Sequence, residues 1–364
     1  MRNQLIILFA TILIALLISC NSSKEIPKGA KAKNIILLIG DGMGLSQVSS
    51  AYYFSKSTPN FSRFKYIGLH QNEPTRQKIT DSAAGATAFA IGRKTYNGAI
   101  GVDNDSIPRQ TILEWAAKKS KSTGVVASSS ITHATPASFY AHVINRNRQE
   151  EIAEDFVVSP VDFAAGGGSK YFNERKDGKD LIQKMRDDGA IVNTESMQKK
   201  HKLGNRYVYL LEPDSMHSIL GGRGNFLPKA TKKAIDFLSK DEDGFFLMVE
   251  GSQIDWGGHA NRGRFVIEEV KDFDEAIGEA LDFAKKDGNT LVIVTADHET
   301  GGFSLSAKLI YGQGNYNIVD PTFSTGGHTA ALIPVFAYGP GAENFIGIYQ
   351  NNKIYDKMKN SYAK

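Results

Sequence analysis

Continuous apolar runs, each closed by polar or charged residues, recur along the chain. Ile35 to Ile39 is the first. Gly124–Ala127, Tyr207–Leu211, Phe245–Val249, Leu291–Thr295 and Leu332–Tyr338 follow. Short runs without alternation suit strands buried on both faces. Between them the period changes. From Arg264 to Lys286, residues Phe265, Val266, Val270, Phe273, Ile277, Leu281 and Ala284 recur at helical spacing, with Glu and Lys elsewhere. That pattern predicts a long amphipathic helix. Ile112 to Lys119, Lys179 to Met185 and Ala230 to Leu238 predict shorter ones. Strands alternating with helices imply an α/β fold, with a large, mostly parallel central sheet flanked by helices on both faces. In such sheets ligands bind beyond the C-terminal strand ends. Gly166-Gly167-Gly168 with Lys170 to Arg206, and Ala307 to Ser324, are looser in pattern and read as small surface insertions. Tyr349 to Lys364 reads as a polar, basic tail ending in a solvated helix.

The N-terminus breaks this pattern. Arg2 precedes an apolar run from Leu5 to Ile18. The run is too short to span a bilayer and reads as a signal peptide over residues 1–19. Leu17-Ile18-Ser19-Cys20 resembles a bacterial lipobox, which makes Cys20 the residue to be lipidated and predicts an exported protein held at a membrane by that anchor, in the periplasm or on the outer membrane. Residues 20–33 then form a flexible tether, and 34–364 a single domain. Cys20 is the only cysteine, so the exported part has no internal disulfide. The net charge of +4 is mild. Basic and acidic residues are interspersed, and no nucleic-acid-binding surface is evident.

Candidate chemistry clusters where the runs end. Asp41 follows the first, among Gly40, Gly42 and Gly44. Glu250 ends the Phe245 run, and Asp255 and His259 stand one helical turn apart just beyond it. A carboxylate and an imidazole at that spacing suit zinc. Asp297 and His298 follow the Leu291 run, where a turn is needed to aim both at one ion. His328 precedes the last run. Burying several unpaired carboxylates at one rim is very costly, and bound cations remove that cost. Nitrogen and oxygen ligands without thiolate suit catalytic Zn²⁺, whereas oxygen ligands such as Glu250 and Thr135 suit Mg²⁺ better. Ser82 lies in Thr80-Asp81-Ser82-Ala83-Ala84-Gly85-Ala86-Thr87, where Thr80 or Asp81 caps a helix whose first turn carries the hydroxyl. A helix N-terminus binds anions such as phosphate.

The segment from Thr80 to Phe89, with Lys94 to Asp103 after it, closely resembles the nucleophile segment of bacterial alkaline phosphatases, and the other clusters fall in that family's order. The resemblance implies an alkaline-phosphatase-like fold and hydrolysis of phosphate monoesters through a phosphoserine at Ser82. It implies two Zn²⁺ and one Mg²⁺. Asp255, His259 and His328 would hold one zinc; Asp41, Asp297 and His298 the second, completed by Ser82. Asp41, Thr135 and Glu250 would hold magnesium. Arg146 resembles the arginine that clamps phosphate, a task suited to a bidentate guanidinium, and Asp81 would orient it. A homodimer is implied as well. In-line displacement needs the two zincs about 4 Å apart.

Two positions depart from the enterobacterial pattern. His133 stands where that pattern has aspartate, and Trp256, beside the substrate phosphate, where it has lysine. His133 favours a softer third ion. The segment Ala307 to Ser324 is also short beside the crown-like insertion of longer members, and the family's cysteines are missing. A phosphodiesterase or sulfatase on the same metal scaffold would carry a threonine nucleophile or a Cys/Ser-x-Pro-x-Arg sequence, and Asp-Ser-Ala-Ala is neither. A non-catalytic phosphate-binding lipoprotein would not need the full set of zinc ligands.

Overall fold

The computed structural model describes residues 27–363. The signal peptide and Cys20 lie outside the described residues, and none of the described helices is long and apolar enough to cross a membrane. The strands in chain order are β1 (Asn34–Gly40), β2 (Tyr66–Gln71), β3 (Ser122–Ser130), β4 (Phe163–Gly167), β5 (Ile191–Asn193), β6 (Tyr207–Leu210), β7 (Phe245–Gly251), β8 (Thr290–Thr295), β9 (Glu299–Thr300), β10 (Ser304–Ile310), β11 (Gln313–Thr322), β12 (His328–Thr329), β13 (Ile333–Tyr338) and β14 (Gly347–Gln350). One ten-stranded sheet runs in the order β14-β2-β13-β8-β1-β7-β3-β4-β6-β5. From β8 to β5 every neighbouring pair is parallel. β13 runs against both of its neighbours.

β1 shows why the central strands read as unbroken apolar runs. All of its residues are buried. Ile35, Leu37 and Ile39 enter one core, while Ile36 and Leu38 enter the other, as a period of two requires. The helix Gly263–Asp287 covers the second core with Val266, Val270, Phe273, Ile277 and Leu281, and stops at Gly288 in the left-handed conformation. The first core is covered by the helices Ser82–Ile91, Ile112–Ala117, Gln149–Val158 and Lys353–Ser361. Each fully buried Ile, Leu, Val or Phe contributes about 1.5–3 kcal/mol, so the two layers fix the strand ends that carry the polar clusters.

Two expectations are corrected. The Gly166–Arg206 region is not an insertion: Phe163–Gly167 is a buried strand of the main sheet, and Ile191–Asn193 is its edge. The sequence FAAGG looks loose because there is no room for larger residues. A Cβ on Gly167 would lie 2.0 Å from the Asp214 carbonyl oxygen. The C-terminal helix is not free in solvent either, since Lys353–Ser361 buries Ile354 and Met358. The region Ala307 to Ser324 does lie on the surface, where β10 and β11 form an exposed antiparallel hairpin.

Candidate metal centre and nucleophile

The parallel strands deliver their C-terminal ends to one rim. Asp41 follows β1, Glu250 lies in β7, and Asp297 and His298 follow β8. The short helices Ala134–Ala137 and Gln253–His259 follow β3 and β7 and add Thr135 and Asp255 with His259, with His133 at the N-cap of the first. His328 comes from β12, which pairs with β9 just beyond Asp297 and His298.

Three groups of ligand atoms result, each with members within 4.8 Å of one another: Asp255, His259 and His328; Asp41, Asp297 and His298; and Asp41, His133 and Glu250. In the first, Asp255 Oδ1 lies 3.4 Å from His259 Nε2 and 3.5 Å from His328 Nε2, and those two nitrogens are 3.1 Å apart. In the second, His298 Nε2 lies 3.4 Å from both Asp41 Oδ1 and Asp297 Oδ2. The rings of His298 and His328 stack with centroids 3.6 Å apart, which places the first two groups side by side.

Whether cations fit can be judged from the polar atoms left over. Asp41 Oδ2, Asp297 Oδ2, Glu250 Oε1, Thr135 Oγ1 and His133 Nδ1 are buried without a hydrogen-bond partner. Leaving that many buried polar atoms unpaired would cost about 1–3 kcal/mol each, more where charged. Cations supply the missing partners, so the residues present fit bound metal. Electrostatics point the same way. Burial, then Asp297, Asp255 and Glu250, push the Asp41 carboxyl well above its ordinary range. Burial and the Asp255 charge push Asp297 up to about 6. Burial raises Glu250 to about 7, against hydrogen bonds from Ser252 and Ser129. Asp255 differs: burial works to raise it, but His328, His298, His259 and Thr300 hold it low. Burial pushes His298 down to about 3, helped by His328, so its imidazole is neutral and free to ligate.

Ser82 is the first residue of the helix Ser82–Ile91, and Asp81 is its N-cap, accepting from the Ala84 N–H at 2.9 Å. The Ser82 hydroxyl lies 3.2 Å from His298 Nε2 and 3.4 Å from Asp41 Oδ1. Asp81 also accepts from Arg146 Nη1 at 3.1 Å through its second oxygen, so the residue that starts the helix aims the guanidinium as well. Gly85 allows this helix to approach the rim, because a Cβ there would lie 2.9 Å from the Asp297 Cβ. Arg146 Nη2 donates toward His133 Nε2 at 3.4 Å. Burial and the Arg146 charge lower His133 to about 3. The half-buried Trp256 meets the His133 ring edge-on at 6.1 Å.

All the site residues expected from sequence, Cys20 apart, therefore lie on one rim. Sequence reasoning missed the groups that hold them. Ser129 and Ser252 donate to Glu250 Oε2 at 3.1 and 2.5 Å. Glu299 accepts from Gln47, Phe303 and Thr329. Thr300 contacts both Asp255 and His298. Ser128-Ser129-Ser130 at the end of β3 is the one sequence signal among them; Glu299 and Thr300 leave none.

Comparison with known proteins agrees with this geometry. The family model described as alkaline phosphatase matches residues 32–320. Alkaline phosphatase 3 of Bacillus subtilis (strain 168) is 36% identical, over 92% of this chain and 90% of its own length. Alkaline phosphatase of Escherichia coli (strain K12) is 34% identical, over 90% and 85%. The structure of alkaline phosphatase from the Antarctic bacterium TAB5 superposes with a TM-score of 0.89 at 56% identity, covering 91% of this chain and 98% of that one. A histidine-to-aspartate variant of the TAB5 enzyme is described with magnesium bound in its M3 site.

Proposed function

Since the chain belongs to the alkaline phosphatase family and hydrolyses phosphate monoesters, we propose that Ser82 is its nucleophile and that the three ligand groups hold the metal ions the reaction needs. Two Zn²⁺ would occupy the Asp255–His259–His328 and Asp41–Asp297–His298 groups, and a third ion would lie among Asp41, Glu250, Thr135 and His133. Bound there, the cations would act as Lewis acids on the phosphoryl oxygens and lower the pKa of the serine hydroxyl.

The chain's own residues supply position. The helix Ser82–Ile91 presents Oγ at its positive end, where a dianionic phosphate is favoured. Arg146, held by Asp81, grips two phosphoryl oxygens and stabilises the charge spread over them in the transition state. Oγ loses its proton to solvent and forms a bond to phosphorus as the bond to the ester oxygen breaks, and the leaving oxygen takes a proton from solvent and departs as the alcohol. Water then displaces Oγ, releasing inorganic phosphate and restoring the serine. His298 Nε2 and Asp41 Oδ1 face Oγ, but both would be taken up as cation ligands, so neither is left to act as a base. Phosphoryl transfer is mostly positioning and electrostatics, so none is required. The proximity of Ser82 Oγ to His298 Nε2 and Asp41 Oδ1 carries this reading.

The test compares wild type with Ser82→Ala on a phosphate monoester, a diester and a sulfate ester. Wild type should favour the monoester. Ser82→Ala should lose activity at least a hundredfold while keeping its metal. A variant with near-normal turnover would remove Ser82 from the mechanism. We also propose export with lipid attachment at Cys20, resting on the Leu5–Ile18 run and the lipobox, and a homodimer, resting on family likeness.

A further inference from the structure

Three histidines carry ligand nitrogens in the first two groups, and each ring has a second nitrogen that needs a partner. For His259 it is the Gly326 carbonyl, 2.7 Å from Nδ1. For His328 it is the Thr80 carbonyl, at 2.8 Å. For His298 it is a side chain: Nδ1 lies 3.1 Å from Thr300 Oγ1. The same hydroxyl lies 2.5 Å from Asp255 Oδ1. A carboxylate only accepts, so the Thr300 O–H donates to Asp255 and its lone pair accepts from His298 Nδ1–H. His298 is thereby fixed with its proton on Nδ1 and its Nε2 lone pair toward Ser82 and Asp41. One hydroxyl touches a ligand of each group.

The fold holds this hydroxyl in place. Thr300 is fully buried. Its N–H donates to the Gly42 carbonyl at 3.1 Å, and its carbonyl accepts from Gln47 Nε2 at 3.0 Å. In the β9–β12 pair it stands opposite His328. Gly42 leaves the space for it: a Cβ there would lie 2.7 Å from Thr300 Oγ1.

We propose that Thr300 is a positioning residue that couples the two groups, by fixing the His298 tautomer and orienting the Asp255 carboxylate with one hydroxyl. The proposal rests on the reading of these side chains as cation ligands. Without the hydroxyl, His298 can carry its proton on Nε2, the atom that would ligate, and Asp255 loses a donor. Metal retention at both groups falls together.

The test uses zinc-loaded wild type, Thr300→Ser, Thr300→Val and Thr300→Ala, titrated with a chelator. Zinc per chain is measured by elemental analysis, and circular dichroism checks folding. Losing a partner of this kind typically costs roughly 10–100-fold in metal affinity. Thr300→Val and Thr300→Ala should therefore release zinc at chelator concentrations lower by that factor, while Thr300→Ser follows wild type. Valine and alanine variants that keep zinc as wild type does would overturn the proposal. So would a serine variant as leaky as the valine one, because the methyl group and not the hydroxyl would then matter. Nitrogen-15 histidine spectra of the zinc-loaded wild type need no variant: a proton on His298 Nδ1 is expected, and its absence overturns the proposal. A wild type with no zinc to lose would instead sink the ligand assignment, and this coupling with it.

Discussion

At the scale of single residues, the third ligand group turns on His133. His133 shares a ligand group with Asp41 and Glu250, yet burial, with the Arg146 charge, keeps its ring neutral. A neutral imidazole beside two carboxylates suits a softer ion than magnesium, which prefers an all-oxygen octahedral shell. His133→Asp would supply the missing oxygen. The expected outcome is at least a tenfold gain in magnesium affinity, measured by titrating activity and bound metal together. Unchanged magnesium dependence would show that His133 does not line the third site.

At the scale of elements, the helix Ser82–Ile91 does two jobs at once. It presents Ser82 at its N-terminus and packs against the turn that carries Asp297. All of its residues are buried, and Gly85 is the point of closest approach. Alanine is the better helix former by about 1 kcal/mol, so Gly85→Ala should strengthen the isolated helix. In the folded protein its methyl group would displace Asp297. Activity should fall by one to two orders of magnitude, with zinc released more easily and little loss of helix signal. A variant as active as wild type would show that this contact does not set ligand geometry. Elements also mark what the sequence could reveal. β1, β7 and β8 were legible because burial on both faces leaves them uniformly apolar, and their ends carry Asp41, Glu250, Asp297 and His298. β2 was hidden because Gly68 and His70 interrupt its pattern, and β4 because glycines replace its side chains. Thr300 and Glu299 were illegible for another reason. A hydroxyl or a carboxylate acquires its role only from partners distant in sequence, such as Asp255 and Gln47.

At the scale of the whole molecule, the rim places carboxylates that repel one another inside the fold, so metal and stability are linked. Exhaustive chelation should remove activity and lower the melting temperature, and zinc should restore both. An unchanged melting temperature would mean that the buried carboxylates are satisfied without cations. A second dependence lies away from the site. His142 Nε2 meets Glu114 Oε1 at 3.0 Å. Burial alone would lower the His142 pKa, but the Glu114 and Gly101 hydrogen bonds raise it above its ordinary value. Glu114 is held below its ordinary value, because His142 and the Thr111 N–H outweigh burial. The raised histidine contributes stability that is complete below its unfolded pKa of about 6.5 and is lost as pH rises through the folded value. The lowered glutamate contributes stability present above its unfolded pKa of about 4.3 and lost as pH falls through the folded one. The melting temperature advantage of wild type over Glu114→Gln should therefore peak between about pH 4.5 and 6.5 and shrink on either side. A constant advantage across that range would show that the pair is not charged.

In the reaction proposed here phosphate passes through the Ser82 hydroxyl, at a rim where cations would sit. Incubating the zinc-loaded enzyme with labelled inorganic phosphate, quenching in acid and mapping the label by peptide mass spectrometry tests it most directly. A phosphoserine at Ser82 in wild type and no label in Ser82→Ala are expected. Label on any other residue, or label that survives in Ser82→Ala, would contradict it.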